Sequence, residues 1–165
     1  MIKLLLAGAV SFICFGANAA YTFPDNAETK TKPGMTVLDS LSYTVEADDV
    51  SKDDIKLCLA DTIDNDSDEI IKAETDTAMI AMGKIRIDKN GWGNDHLIRY
   101  DVKLSIEPNT IDLKFYKIGF AYAKDGALDN KVKYREASTI FGGGGDITVK
   151  SINELAEQFS ACLGV

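Results

Sequence analysis

Strict two-residue alternation from Ile98 to Glu107 constrains this chain more than any other feature. Ile98, Tyr100, Val102, Leu104 and Ile106 face one way, while Arg99, Asp101, Lys103, Ser105 and Glu107 face the other. That pattern fits a half-buried antiparallel strand, with one face in a core and one in water. Glu107-Pro108-Asn109-Thr110 then reads as a turn, because proline fixes φ and asparagine tolerates the corner. Ile111, Leu113 and Phe115 return as the partner strand. A phase slip near Lys117 hands the inward face to Ile118, Phe120 and Tyr122. A long hairpin is therefore expected.

The remaining elements arrange themselves around it. Leu41, Tyr43 and Val45 alternate with polar residues as a short strand. Ser51 followed by Asp54 is a weakened capping box, and Ile55, Cys58, Leu59 and Ile63 recur at helical spacing, which predicts a helix over 52–63. Ile71, Ala73 and Thr75 mark another strand. Ala78 to Ile87 is the next, with Ile80 and Met82 on one phase and Ile85 and Ile87 on the other, so a bulge is expected beside Gly83. Ser151-Ile152-Asn153-Glu154 is a full capping box, after which Leu155, Phe159, Cys162 and Leu163 form one apolar stripe. Tyr21 to Gly34, with Pro24 and Pro33, reads as an extended, mobile leader over 20–40. Gly142 to Gly145 reads as a flexible hinge. The expectation is one α+β domain over 41–165, a mostly antiparallel sheet with two helices packed on one face.

Residues 1–19 read as a secretory signal. Lys3 supplies the positive charge, Leu4 to Gly16 form an uncharged, mostly apolar run, and Ala17-Asn18-Ala19 offers the small residues a signal peptidase accepts. The apolar run is shorter than the 20 or so residues of a membrane span. Ile13 before Cys14 does not fit a lipid-attachment motif, so the expected product is periplasmic, unlipidated and not inserted in the membrane. Cleavage after Ala19 leaves Cys58 and Cys162, two cysteines in an oxidising compartment. Both fall on apolar stripes of the expected helices, so a disulfide joining those helices accounts for them. Closing a loop of that length stabilises the fold by roughly 4 to 5 kcal/mol in the chain-entropy account.

The order of signal, strand, helix, two strands, long hairpin, loop and final helix resembles a bacterial exported domain-of-unknown-function family with a TATA-box-binding-protein-like fold. The similar stretch runs from about Val50 to Phe120. Within it, Ser51-Lys52-Asp53-Asp54 opens the helix, and Glu69-Ile70-Ile71 starts the next strand. Gly83-Lys84-Ile85 carries the small-residue step, and Tyr100-Asp101-Val102-Lys103-Leu104 leads the hairpin. The chain departs from the family's pattern at Glu107-Pro108-Asn109-Thr110, where a Lys-Asp-Gly turn would be expected. The resemblance implies an antiparallel sheet with helices on one face and an exported location. It implies no activity and no functional residue.

Charge narrows the partner class. Lys and Arg number 18 against 26 Asp and Glu, a formal charge of −8. Such a chain lacks the basic stripe that displaces counterions from nucleic acid, and it does not adhere to anionic lipid. Asp64, Asp66 and Asp68 occupy the first three ligand positions of an EF-hand loop, but Glu69 stands where glycine is needed and Thr75 where the bidentate glutamate is needed. At most a weak calcium site remains there, and no metal or cofactor is expected. The glycine run lacks the Gly-Lys-Ser/Thr of a phosphate loop. His96 has no nucleophile motif beside it, and Asp95 falls on the opposite strand face, so no catalytic residue is assigned. Trp92, the only tryptophan, lies on an expected loop tip, and with His96 forms the candidate partner contact.

The expected function is non-catalytic: a binding module for another exported protein, of inhibitor or immunity type, whose acidic surface meets a basic enzyme. The alternatives are a small-ligand binder or hydrolase using the open sheet face, and an envelope assembly factor.

Overall fold

The computed structural model describes residues 21–64, 70–87, 94–124 and 132–165. The expected signal sequence, Trp92, Asp66 and Asp68 lie outside these residues. Strands β1 (Ala27–Lys32) and β2 (Met35–Glu46) precede helix α1 (Lys52–Thr62). Strands β3 (Ile71–Glu74), β4 (Ala78–Ile87), β5 (Asn94–Ile106) and β6 (Thr110–Lys124) follow, and helix α2 (Gly145–Leu163) ends the chain. The six strands form one sheet in the order β1-β2-β6-β5-β4-β3, and every pairing is antiparallel. The fold is thus α+β, as the sequence predicts.

The central hairpin follows the alternation. Ile98, Tyr100, Val102 and Leu104 are buried against Ile111, Leu113 and Phe115, and the turn closes with Glu107 N–H donating to Thr110 O at 2.9 Å. The slip near Lys117 is a bulge: Arg99 pairs Gly119 but Asp101 pairs Tyr116, leaving one extra residue on β6. Lys117 takes φ +52 there, the left-handed conformation that lets the strand turn its next residues inward. Ile118 and Phe120 are buried as expected, whereas Tyr122 stays 42% exposed.

The two helices start differently: α1 has a side-chain cap and α2 has none. Ser51 Oγ accepts from Asp54 N–H and the Asp54 carboxylate accepts from Ser51 N–H, so the first capping box is real. The second is not. Helix α2 begins at Gly145 behind Gly144, two turns before the expected start, and Ser151 is a buried interior residue. Thr148, Val149 and Ile152 extend the apolar stripe N-terminally, and burying them outweighs a cap at Ser151. Cys58 and Cys162 are bonded, with Cα atoms 5.7 Å apart, and tie α1 to α2. Cys58 is buried, but Cys162 is exposed, against the expectation that both lie on buried helix faces.

Three further expectations are corrected. The leader over 20–40 is instead a hairpin, β1 on β2, whose two-residue turn is Pro33-Gly34 with Gly34 at φ +76. Its residues looked unstructured because β1 is an edge strand, nearly all exposed. No bulge lies beside Gly83: β4 pairs β5 in unbroken register from Ala78 to Ile87, with Met79, Ala81, Gly83, Ile85 and Ile87 on one face. The glycine run is not a flexible hinge. Gly143 N–H donates to Ile140 O at 2.8 Å, Gly145 N–H donates to Ser138 O at 3.1 Å, and a Cβ at Gly144 would enter the Phe120 ring.

Candidate functional site

The hairpin register gathers a surface on the helix side of the sheet. Ile87 lies opposite His96 on β5, and His96 lies opposite Tyr122 on β6. These three share the side of the sheet that the helices cover. The His96 ring sits 5.0 Å from Tyr122 and 5.7 Å from Phe120, so it is half-buried in an aromatic cluster. Asp95 points the other way and pairs with Arg86 at 2.6 Å, so the two neighbours do not form a relay.

Next to this cluster the chain before α2 makes a braced turn over Ile140 to Gly143. Gly142 takes φ +70, a conformation glycine adopts without penalty. The Gly142 carbonyl accepts from Tyr122 Oη at 3.3 Å and from the Arg135 guanidinium. Arg135 in turn lies over the Tyr122 ring at 5.4 Å and the Phe120 ring at 5.7 Å. With its backbone fixed this way, the turn holds Phe141 out at 106% relative exposure, beside Ile140 at 43%. Sequence reasoning missed Phe141. Its signal was an Ile-Phe pair directly ahead of four glycines, where no amphipathic element can bury both side chains.

A groove of about 540 Å³ opens between α2 and β4 on the same side of the sheet. Ile85 and Ile87 line it from the strand, Ile147 and Leu155 from the helix, with Lys150 and Glu154 beside them. Thr62, the last residue of α1, and Asp64 just past it also border the groove. The concave volume therefore lies under the helices and not on the open sheet face.

Of the other sequence candidates, Trp92, Asp66 and Asp68 lie outside the described residues. Asp64 is exposed, and its carbonyl accepts from Lys84 N–H at 2.9 Å. Among the described residues no group of three or more His, Cys, Asp or Glu is arranged to hold a metal ion, and no helix is long and apolar enough to cross a membrane.

No protein-family model and no curated protein matches the chain. Among solved structures it is similar to a TBP-like protein from Parabacteroides distasonis, at 16% identity and a TM-score of 0.48, over 81% of this chain and 96% of that one. It is also similar to a DUF4468 family protein from Bacteroides ovatus, at 12% identity and a TM-score of 0.49, over 83% of this chain and 91% of that one. Neither description names an activity.

Proposed function

We propose that the protein is an exported, non-catalytic interaction module that docks on another periplasmic protein through the Phe141 turn. The observation that carries this reading is a fully exposed phenylalanine on a turn braced by Tyr122, Arg135 and its own backbone bonds. An aromatic side chain already fixed in place loses little entropy when it enters a partner's pocket, which is how interface anchors gain affinity. The acidic balance of the chain, 26 Asp and Glu against 18 Lys and Arg, favours a basic partner, as in an inhibitor or immunity protein. A photo-crosslinking residue placed at 141 in the native host tests it. One discrete adduct, absent when the residue is placed at exposed Glu107, supports the reading; no adduct at 141 sinks it.

The groove between α2 and β4 favours a second reading, a small-ligand binder, because its volume falls in the range of ligand pockets. A metabolite thermal-shift screen separates the two. A shift of several degrees from one compound class, lost on Leu155→Lys, would favour the ligand.

A further inference from the structure

The sheet face away from the helices carries charge of the opposite sign to the chain as a whole. Around its centre stand Lys72, Lys103, Lys114 and Lys117, against the carboxylates of Asp101, Glu28 and Asp112, the last of which accepts from Thr44. Asp101 accepts from Lys72 at 3.2 Å and Lys117 at 2.8 Å, and Glu28 accepts from Lys114 through both oxygens and from Ser40 Oγ at 2.7 Å. Lys103 is exposed and makes no hydrogen bond or ion pair among the described residues. The register sets it directly opposite Lys114 across β5 and β6, and sets Lys84 opposite Arg99 across β4 and β5. Like charges in opposed positions destabilise a ladder. Glu28 answers Lys114 and the Tyr134 ring lies under Arg99 at 4.6 Å, so among the described residues Lys103 is the cation of this face whose charge the fold does not use. Half-buried Ile80, opposite Lys103, adds an apolar spot on the same face.

We propose that this open face docks a short acidic polypeptide segment of a partner, whose carboxylates pair with Lys103 and Lys114 beside an apolar contact at Ile80. A short segment keeps its charge within the lysine patch, whereas a long polyanion such as nucleic acid extends over a surface that is acidic overall and repels it. This surface lies across the sheet from the Phe141 turn, so it extends the protein's binding capacity beyond the site proposed above.

The test uses the chain from Ala20 onward and a short fluorescein-labelled oligoglutamate peptide, read by anisotropy at low and high ionic strength. Binding is expected at low ionic strength and is lost at high. Lys103→Glu weakens it by about tenfold. The variant also melts at or above the wild type, because it replaces a like-charge pair with an attractive one. Lys56→Glu, the same charge change on α1, keeps the affinity. Equal binding by wild type and Lys103→Glu overturns the proposal. So does equal loss in Lys56→Glu, or binding of polyphosphate or an oligonucleotide where the oligoglutamate fails.

Discussion

Gly83 and Tyr100 face one another across the β4–β5 ladder, and the Tyr100 ring fills the space a side chain at position 83 would need. A Cβ there would overlap the phenol and come within 2.7 Å of Ile63 Cγ2. Tyr100 is 1% exposed and meets Phe115 edge-on at 5.4 Å, so one ring links β4, β5, β6 and the residue after α1. Among the described residues its hydroxyl has no hydrogen-bond partner, and burial, aided by the nearby Asp64 charge, raises its pKa well above the ordinary phenol value.

Gly83→Ala is therefore expected to cost about 1–3 kcal/mol by overpacking. Tyr100→Phe is expected to be neutral or stabilising, because it removes a buried hydroxyl that makes no bond. In a Tyr100→Leu background, Gly83→Ala should cost markedly less. Urea unfolding of the four members of that cycle measures the coupling, and simple additivity would refute the contact.

The disulfide joins a buried cysteine to an exposed one, so reductant has access from the Cys162 side. Reduction, or Cys162→Ser, should lower stability by about 2–5 kcal/mol. Thiol labelling of the native protein should fail before reduction and modify both cysteines after it. Unequal melting of the reduced and Cys162→Ser proteins would show that loop closure is not the main effect.

Asp101 supplies a pH signature. Burial disfavours its charge, yet the bonds from Lys117 and Lys72 outweigh that and hold its pKa below the ordinary value of 3.8. A carboxyl depressed in the fold stabilises it fully above its unfolded pKa and loses that contribution as pH falls through the folded one. Asp101→Asn should cost about 1–2 kcal/mol at neutral pH, discounted because both lysines stay partly hydrated. That difference should shrink as denaturation is repeated below about pH 4. A difference that is constant with pH would mean the carboxylate acts through shape alone.

Phe141 and Phe120 provide the sharpest contrast. Phe120 is 0% exposed under Gly144 and should cost about 3–5 kcal/mol as Ala. Phe141→Ala should change stability by less than about 0.5 kcal/mol, since the ring touches mainly water. If Phe141→Ala destabilised the protein as much as Phe120→Ala, the turn would be a packing element and not a contact.

Most of the fold was legible where one local rule sufficed. Alternation placed β5 and β6, the Ser51–Asp54 box placed α1, and two apolar stripes with one cysteine each implied the helix–helix bond. Reading failed where local rules competed. Ser151 offered a cap, but burial of Thr148, Val149 and Ile152 carried α2 two turns further. Gly83 sat between isoleucines that seemed to change phase, because Ala81 and Gly83 are inward residues too small to register as apolar. Of the candidate site, only His96 was anticipated and described; the sequence could not show that Tyr122 and Arg135 brace Gly142 from strands and segments far along the chain.

By itself, the sequence determined the alternation of β5 and β6 and the Ser51 cap of α1, since each depends on residues within a few positions of one another. The tertiary structure alone decided that Ala27–Lys32 is an edge strand, that Cys162 is exposed while Cys58 is not, and that four lysines share one sheet face. Pairing partners and exposure belong to neighbours distant in sequence. A strand such as β1, with its side chains in water, leaves no apolar pattern to read, because its stability comes from backbone bonds to β2.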